Sequence, residues 1–402
     1  MVKEQLVQLV RNNRLSHALL FLGKEGSGAL SLALAFSQYI VCDSASRDSR
    51  NNDAALFSQE ILPVAVKELN TDSCGICPAC LKASQYIHPD IHYSFPVINK
   101  KSGEKPVSND FIVQWREFLD AQPYGNVYDW LQFIGAENKQ GNITAEECNN
   151  INKKLSLKPF ESKYKILVMW MPEFLGKEGN KLLKLIEEPP PDTLFIFVAE
   201  NEGAILPTIL SRTQLIKIHP LSDQEVEQAL INNEGRSENK ARQIAAVAEG
   251  NYHEALQLLQ HSEDDWQGIL RDWLNAIIKT GPAAQIKWVE ETSKLGREKQ
   301  KQFLRYFIHL LEQSVRLRIL DDHIFSLESG TRSVHAHMPE NEKDFAMRLN
   351  NICSLSAQKS IIEELDRATW YIERNAHGKL LFHALTIRLY HIIKDNSLIL
   401  IS

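Results

Sequence analysis

The chain has 402 residues, with 45 Lys and Arg against 51 Asp and Glu, a net charge of -6, and 44% apolar residues. This composition is that of a globular protein of about three domains, and it argues against a stand-alone DNA-binding domain, which is normally basic. The first residues, MVKEQLVQLVRNNR, lack the apolar run of a signal peptide, and no later stretch approaches roughly 18 consecutive apolar residues. We therefore expect a cytoplasmic protein with reduced cysteines and no membrane contact, in which any nucleic-acid role is shared with partners.

The N-terminal part begins with a strand, a glycine-rich turn and a helix. HALLFLG at 17–23 is an apolar run of strand length, and it leads into the pattern Gly23-x-x-Gly26-x-Gly28. The Ala- and Leu-rich stretch ALSLALAFSQYIV at 29–41 predicts a buried helix. This order places a phosphate-type loop between a strand and a helix.

Three further apolar strands extend the pattern. They are KILVMW at 165–170, LFIFVA at 194–199 and LIKI at 215–218. A helical stretch near 176–188 follows the first of them, and the prolines at 189–191 must end it, because a residue before proline avoids the helical region. Near-continuous apolar strands between helices predict an α/β domain with a parallel sheet covered on both faces.

After Pro220 the strands stop and helices take over. Residues 221–260 predict three short helices, the last at Tyr252–Leu259. Beyond Asp264, apolar residues three and four positions apart indicate long amphipathic helices of an all-α unit. The stretches that carry this periodicity are WQGILRDWLNAII, KQFLRYFIHLLEQSVRLRIL and GKLLFHALTIRLYHII.

Two segments, 43–73 and 99–142, look like insertions in the α/β domain. The first opens with the polar run DSASRDSRNNDAA, and the second opens with NKKSGEKPVSND and then turns aromatic. Neither has periodicity strong enough to assign a separate domain. Within the second, we expect the polar segment IGAENKQGNIT to be a solvated loop.

The glycine-rich turn departs from a working ATP-binding loop, G-x-x-x-x-G-K-[ST], in which the Lys contacts the terminal phosphates and the hydroxyl binds magnesium. Here Gly28 is followed by Ala29 and Leu30. Gly23, Gly26 and Gly28 with the helix N-terminus can still hold an anion weakly, as a vestigial phosphate loop, and a simple tight turn is the alternative. Without the Lys and the hydroxyl, the loop lacks two main electrostatic contributions to phosphoryl transfer.

The second half of an ATPase site is missing as well. An acidic pair should follow the strand at 165–170 and orient magnesium and the attacking water, but Met171 and Pro172 stand there. Glu173 lies one or two residues late and beyond a proline, so we do not expect it to replace the lost acid. Two independent losses therefore agree on an inactive ATP site.

Half of the six cysteines fall within one short segment, as Cys74, Cys77 and Cys80. Consecutive C-x-x-C spacing brings thiolates to one tetrahedral zinc ion, and a closed structural site needs a fourth ligand. The candidates are Cys42, which we favour, and His88. Disulfide exchange at the C-P-A-C pair is the rival interpretation, whereas a zinc deaminase is excluded because no H-x-E segment precedes it. The other two cysteines are expected to be buried small apolar residues: Cys148 and Cys353.

An arginine, Arg212, stands in PTILSRTQ at 207–214, just before the last predicted strand. At such a junction an arginine is most often a surface or capping residue. In an oligomeric ATPase, an exposed arginine there can instead reach the neighbour's nucleotide and neutralise charge that develops on the transferred phosphate. Its rigid, permanently charged guanidinium suits that role.

Together these residues resemble the clamp-loader subunits of bacterial DNA polymerase III, most closely those of the delta-prime type. The matching segments lie within about the first 220 residues: RLSHALLFLGKEGSG, CGICPAC with His88-Pro-Asp after it, NKLLKLIEEPPPDTLFIFVAEN and PTILSRTQ. The resemblance implies an AAA+ module, in which a RecA-like α/β domain with a parallel sheet is followed by a small helical lid and an all-α collar. The implied divisions are 1–220 for the RecA-like domain, with a zinc-binding module at about 42–80, 221–262 for the lid, and 263–402 for the collar.

The resemblance also implies roles for single residues. Arg212 matches the arginine finger of the family's S-R-C motif, although Thr213 replaces the cysteine. The residues that match the family's four zinc ligands are Cys42, Cys74, Cys77 and Cys80. The residues that stand where motor subunits carry Lys, Thr, Asp, Glu and a nucleotide-sensing Arg are Ala29, Leu30, Met171, Pro172 and His253.

The function implied by the resemblance is that of a subunit without ATPase activity, which helps to load the sliding clamp onto primed DNA and offers Arg212 to the ATPase beside it. The implied partners are the gamma/tau and delta subunits, with the sliding clamp and primer-template DNA reached through the complex. The implied cofactor is structural Zn²⁺, with ATP not bound or not hydrolysed. The alternatives are an active gamma/tau-type ATPase with a divergent site and a zinc-dependent nucleic-acid-binding protein.

Overall fold

The computed structural model describes residues 2–45, 71–99, 105–136, 141–260, 265–324, 340–373 and 376–395. Most of the predicted insertion 43–73 therefore lies outside the described residues. By its contacts the chain divides into two compact units, one of residues 1–222 with 250–253 and one of residues 223–249 with 254–402.

The first unit combines helices with a parallel sheet. Its described strands are β1 (Ala18–Gly23), β2 (Ile91–Ser94), β3 (Lys165–Trp170), β4 (Thr193–Ala199) and β5 (Gln214–Ile218). Its described α-helices are α1 (Val2–Arg11), α2 (Ala29–Val41), α3 (Pro78–Ser84), α4 (Ile112–Ala121), α5 (Val127–Phe133), α6 (Ala145–Leu155), α7 (Leu183–Glu187) and α8 (Pro207–Leu210). Short 3-10 segments occur at Ser108–Phe111, Pro172–Leu182 and Glu202–Ala204.

The strands form one parallel sheet in the order β2-β3-β4-β1-β5. Strand β1 pairs with β4, where Leu20 lies opposite Phe197, and with the edge strand β5, where Leu20 lies opposite Leu215. Both faces are covered, since separate clusters of buried apolar residues lie around Phe21 and around Phe195. This confirms the predicted α/β fold class, because strands buried on both faces are near-continuously apolar.

Two local features differ in detail from the sequence prediction. The stretch predicted near 176–188 is helical and ends before the prolines as predicted, but it is 3-10 helix within Pro172–Leu182 and α-helix only in the short α7. At its start, Gly176 has φ 52° and ψ -145°, a backbone conformation outside the helical region that only glycine adopts readily. The strand β2 was not predicted, because its four residues, IHYS, carry too little periodicity.

The segment 99–142 contributes to the core of the first unit. The 3-10 turn at 108–111, α4 and α5 bring Trp115, Phe118 and Trp130 to full burial. Trp115 stacks on Phe95 with ring centroids 4.2 Å apart, and the indole N–H of Trp130 donates to the Pro96 carbonyl at 2.7 Å. The polar segment 134–144 is not a solvated loop in its described part, because Ile143 is buried and Gly141 is buried beside it.

The second unit is helical throughout its described residues. Its α-helices are α9 (Asp223–Glu234), α10 (Glu238–Ala248), most of α11 (Tyr252–Gln260), α12 (Trp266–Asn275), α13 (Pro282–Thr292), α14 (Arg297–Ile324), α15 (Glu340–Ile352), α16 (Leu355–Glu373) and α17 (Gly378–Asp395), with a π-helical turn at Ala276–Thr280. The three short helices predicted over 221–260 are thus confirmed. In the core, Trp273 stacks on Trp288 at 4.5 Å between centroids and donates to Thr386 Oγ1 at 3.0 Å.

Among the described residues, no helix combines the length and apolar character that crossing a membrane requires.

Candidate functional site

The glycine-rich turn lies where the carboxyl ends of β1, β3 and β4 meet. Because parallel strands place their carboxyl ends at one edge, this is where open α/β sheets usually bind ligands. A cavity of about 30 Å³ remains at this edge. Its wall includes all three predicted loop glycines, Gly23, Gly26 and Gly28, and also Trp170 and Met171. Ligand pockets are typically about 300–1,000 Å³, so the space present here is far smaller than a nucleotide site.

The glycines of the turn are required by close packing inside the protein. Gly26 has φ +70°, and a Cβ there would lie 1.8 Å from Asn251 Oδ1. Gly28, the N-cap of α2, has φ +77°, and a Cβ there would lie 3.3 Å from the Tyr124 ring. The same pattern that resembles a phosphate loop is therefore explained by backbone conformation and by the residues that cover it.

Two tyrosines and a proline cover the turn. Tyr124 packs edge-to-face on Tyr252, with ring centroids 4.8 Å apart. The backbone N–H of Tyr252 donates to the Gly26 carbonyl at 3.2 Å. Ser31, in the first turn of α2, donates its hydroxyl to the Pro123 carbonyl at 2.8 Å. Side chains and backbone of this chain thus pack against the turn, beside the cavity that its glycines line.

His253 lies buried against the same turn. Its Nε2 is 3.4 Å from Asp129 Oδ2, 3.8 Å from Glu25 Oε1 and 3.4 Å from Asn126 Nδ2. Asn126 also caps α5, because its side chain accepts from the Asp129 N–H at 2.9 Å. The imidazole is therefore engaged by acidic and amide groups of the chain itself.

The residues after β3 are apolar or engaged with backbone. Met171 is buried in the left-handed region at φ 57°, with its N–H donating to Val198 at 2.8 Å, and Pro172 begins the following 3-10 segment. Glu173 accepts from the N–H groups of Glu200 at 2.7 Å and Asn201 at 2.9 Å. Burial raises the pKa of Glu173, although these N–H groups oppose the rise.

Four cysteines form a cluster that can hold a metal ion. The Sγ atoms of Cys42, Cys74, Cys77 and Cys80 all lie within 4.8 Å of one another. Backbone N–H groups point at the sulfurs: Cys74 N to Cys42 Sγ, Cys77 N to Cys74 Sγ and Cys80 N to Cys77 Sγ, each at 3.4 Å. Four sulfur ligands converging on one point are the donor set of a closed tetrahedral zinc site.

The electrostatics of the cluster favour a cation. The N–H groups of Ile76 and Cys77 lower the pKa of Cys74 to about 6, whereas burial raises the pKa of Cys80 to about 12. Four adjacent thiolates would repel each other in this partly buried site, and a bound cation removes that penalty.

His88, the other candidate for the fourth position, is engaged elsewhere. Its Nδ1 accepts from the Asp90 N–H at 3.1 Å, and its Nε2 lies 3.3 Å from Glu161 Oε1. The structure thus brings Cys42 to the other three cysteines and leaves His88 outside the group. Cys148 and Cys353 are both buried, as predicted.

Arg212 lies after α8 with its side chain 34% exposed. Its Nε donates to Glu187 Oε1 at 2.7 Å, and its Nη1 donates to the Thr208 carbonyl at 2.8 Å and to Ser211 Oγ at 3.0 Å. Such an exposed ion pair contributes about 0–1 kcal/mol, so a more strongly charged anion can take the place of the carboxylate. The guanidinium is thus held at the surface by a carboxylate, a backbone carbonyl and a hydroxyl of this chain.

The residues that sequence reasoning missed are those that cover the turn. Tyr124 falls in the aromatic segment that was treated as an insertion, and Asn251 and Tyr252 belong to the G-N-Y-H run. Neither segment is close to the glycines in sequence. The aromatic residues and glycines of these two segments were the only hint of a functional role in the sequence. Only the tertiary fold brings the segments to the turn.

Comparisons with known proteins show the family to which the chain is related. A family model described as "DNA polymerase III, delta subunit" matches residues 1–56 and 48–222, more than half of the chain. The chain is 24% identical over 263 residues to "DNA polymerase III subunit delta'" of Bacillus subtilis (strain 168), covering 65% of this chain and 59% of that protein. It is 25% identical over 216 residues to the delta' subunit of Haemophilus influenzae, covering 53% of this chain and 46% of that protein.

A further relative is "DNA polymerase III subunit tau" of Bacillus subtilis (strain 168), 22% identical over 331 residues, which cover 81% of this chain and 47% of that protein. The chain thus spans less than two thirds of the length of each of these three relatives.

Proposed function

Because the chain belongs to the DNA polymerase III delta-subunit family, we propose that it is a clamp-loader subunit of the delta-prime type that does not hydrolyse ATP itself. It would help to load the sliding clamp onto primed DNA as part of a complex with the gamma/tau and delta subunits. The clamp and the primer-template DNA would be reached through that complex, in the cytoplasm.

The covered glycine-rich turn is the observation that carries the proposal. Ala29 and Leu30 replace the phosphate-binding Lys and the magnesium-binding hydroxyl, and Tyr124 packs over Gly28. Met171 and Pro172 replace the acidic pair. Phosphoryl transfer depends on positioning and on charge stabilisation by such groups, so their combined loss favours a subunit without turnover.

Arg212 would act in trans, on the nucleotide of the adjoining ATPase subunit. Its position at the surface and its exchangeable pairing with Glu187 support this role. On approach of a neighbour's triphosphate, the guanidinium would leave the carboxylate for the more highly charged phosphate oxygens. It would then stabilise charge on the transferred phosphoryl group.

The cysteine cluster would hold a structural zinc ion through Cys42, Cys74, Cys77 and Cys80. The ion would neutralise the thiolates and fix the loop before α3 to the end of α2. No open coordination position is needed for this, since four sulfur ligands already complete a tetrahedron.

The test is a reconstituted complex with the motor and delta subunits, in which clamp-stimulated ATP turnover is measured for the wild type, Arg212→Ala and Arg212→Lys. We expect Arg212→Ala to lower turnover, with a loss of about a hundredfold or more at the adjoining site. Arg212→Lys keeps the charge but lacks the planar fork, so it should recover only part of the activity.

The matched control is Glu187→Gln, which removes the negative charge of the intrachain partner and leaves the guanidinium in place. Turnover with this variant should stay near the wild-type level. Gel filtration checks that every variant assembles. Unchanged turnover in an assembled Arg212→Ala complex would rule out the finger, and ATP hydrolysis by the isolated chain would favour the active-ATPase alternative.

A further inference from the structure

One surface of the first unit, away from the glycine-rich turn, exposes large apolar side chains. Phe160 is 82% exposed, Ile76 81% and Leu157 67%. Leu81 and Ile87 are exposed as well. Singly exposed apolar residues are ordinary, whereas several on adjoining segments mark an interaction site. We call these five side chains, together with the loop 156–164, the α3 surface.

An ion pair joins the two segments of the α3 surface, and a buried histidine lies beside it. Lys82, in α3, contacts Glu161 with 2.6 Å between Nζ and Oε2. His88 Nε2 lies 3.3 Å from the other oxygen of Glu161. Leu81 directly precedes Lys82 in the chain, Ile87 directly precedes His88, and Phe160 directly precedes Glu161. The exposed apolar side chains therefore flank a common polar contact.

The loop that carries Phe160 is held rigidly. The Asp90 carboxylate accepts from the N–H groups of Phe160 at 2.5 Å, Glu161 at 2.9 Å and Ser162 at 2.8 Å. At the start of the loop, Lys165 Nζ donates to the Leu157 carbonyl at 2.6 Å. An aromatic side chain presented by an ordered backbone loses little conformational entropy on binding, which is a property of interface hot spots.

The α3 surface lies at the opposite sheet edge from the glycine-rich turn. Asp90 directly precedes β2, and the loop 156–164 directly precedes β3, so both lie at the amino ends of parallel strands. The turn at 23–28 follows the carboxyl end of β1. A partner on the α3 surface would therefore leave the edge with the glycine-rich turn open.

Lysines cluster at the end of α6 and in the loop that follows it, against the net charge of the chain. Lys153 and Lys154 lie in the last turn of α6, exposed and half-buried, and Lys158 and Lys163 lie exposed in the loop. The acid between them, Glu161, is engaged by Lys82 and His88. Complementary charge steers association and excludes wrong partners, so the four lysines select an acidic partner.

We propose that the α3 surface docks an acidic protein segment that also carries apolar side chains. Its apolar groups would pack on Phe160 and the aliphatic side chains around it, and its carboxylates would pair with the lysines of residues 153–163. Four of the five exposed apolar residues are aliphatic, and aliphatic side chains offer no face on which bases stack. This favours a protein segment over single-stranded DNA.

The test uses the full chain and fluorescence anisotropy with three labelled probes. They are a peptide of alternating Glu and Leu with one central Phe, the same peptide with Lys in place of Glu, and oligo(dT). We expect the acidic peptide to bind and the Lys peptide not to bind. Phe160→Ser should weaken the binding at least about tenfold, and so should the double variant Lys158→Glu, Lys163→Glu.

The matched controls lie in the second unit. Leu380→Ser replaces an apolar residue that is 69% exposed, and Lys279→Glu reverses an exposed charge; neither should change the affinity. Circular dichroism and metal content check the fold of each variant. If Phe160→Ser is misfolded, Leu157→Ser serves in its place, because that side chain is also mostly exposed.

Several results would overturn the proposal. These are no binding of the acidic peptide, equal binding of the Lys peptide, an affinity that Phe160→Ser leaves unchanged, or preferential binding of oligo(dT). Tighter Phe160-dependent binding of a peptide of this chain's residues 53–69 would identify an intrachain occupant instead. If sedimentation showed a dimer that Phe160→Ser abolishes, the occupant of the α3 surface would be a second copy of the chain.

Discussion

The histidine at position 309 of α14 shows how surroundings change a single residue. His309 is buried, and its Nδ1 has no hydrogen-bond partner among the described residues. Burial, together with the charge of Arg316, lowers the pKa of His309 to about 4. An unfolded histidine titrates near about 6.5. As pH falls through this window the unfolded state takes up the proton first, so the folded state loses stability between pH 6.5 and 4.

Replacement of this histidine should therefore flatten the acid side of the stability curve. Between pH 7 and 5, His309 is expected to cost about 2 kcal/mol, and His309→Leu should lack this loss. Urea unfolding at the two pH values measures the difference. His377→Leu, at an exposed position, is the control and should keep the wild-type slope. An equal pH dependence in wild type and His309→Leu would contradict the assignment.

The glycines of the covered turn permit a second test with single residues. Gly26 and Gly135 both have positive φ, +70° and +72°, but only Gly26 has atoms within 4 Å of an added Cβ. Gly135→Ala should cost about 1 kcal/mol through the backbone conformation alone, whereas Gly26→Ala should cost about 1–3 kcal/mol more through the clash with Asn251. Urea unfolding of both variants separates the two effects. Equal costs would mean that the turn is not packed against residues 251–252.

At the scale of elements, the cysteine cluster should behave as one cooperative unit. We expect one zinc ion per chain, and Cys77→Ser and Cys42→Ser should each lose it, because a tetrahedral site with three sulfurs binds far more weakly. Cys148→Ser, in a buried cysteine outside the cluster, and His88→Gln should keep it. Elemental analysis after dialysis against a chelator measures the metal. If Cys42→Ser retained the zinc ion and His88→Gln lost it, the fourth ligand would be His88 and not Cys42.

Elements with long apolar runs were predictable, and short or interrupted ones were not. The bounds of α2 and β3 agree with the sequence prediction, because long, mostly apolar stretches favour burial and the residue pattern marks their ends. The stretch predicted as helical near 176–188 is helical, but periodicity did not reveal that most of it is 3-10 helix or that Gly176 has a positive φ. The aromatic residues of α4 and α5 were visible, but their burial follows from contacts with Phe95 and Pro96, which are distant in sequence.

At the scale of the whole molecule, the isolated chain should not bind or hydrolyse Mg-ATP. We expect no saturable isotherm in titration calorimetry up to about 1 mM nucleotide, the upper end of usual enzyme affinities. The double variant Ala29→Lys, Leu30→Thr should not restore turnover, because Met171 and Pro172 still replace the acids and Tyr124 still covers Gly28. An active motor subunit is the positive control. Micromolar binding by the wild-type chain would contradict the covered-turn interpretation.

The sequence by itself determined the fold class and the chemistry that is missing. Apolar runs determine strands and helices locally, and the side chains of Ala29 and Met171 offer no cation to a phosphate and no oxygen ligand to magnesium in any fold. Only the tertiary structure decided which distant groups meet. In the folded chain Cys42, and not His88, lies beside the other cysteines. Tyr124 and Tyr252 pack on each other at the glycine-rich turn, and Arg212 pairs with Glu187. The reason is physical: composition and periodicity act over a few residues, whereas metal clusters, packed turns and ion pairs depend on segments that only the folded chain brings together.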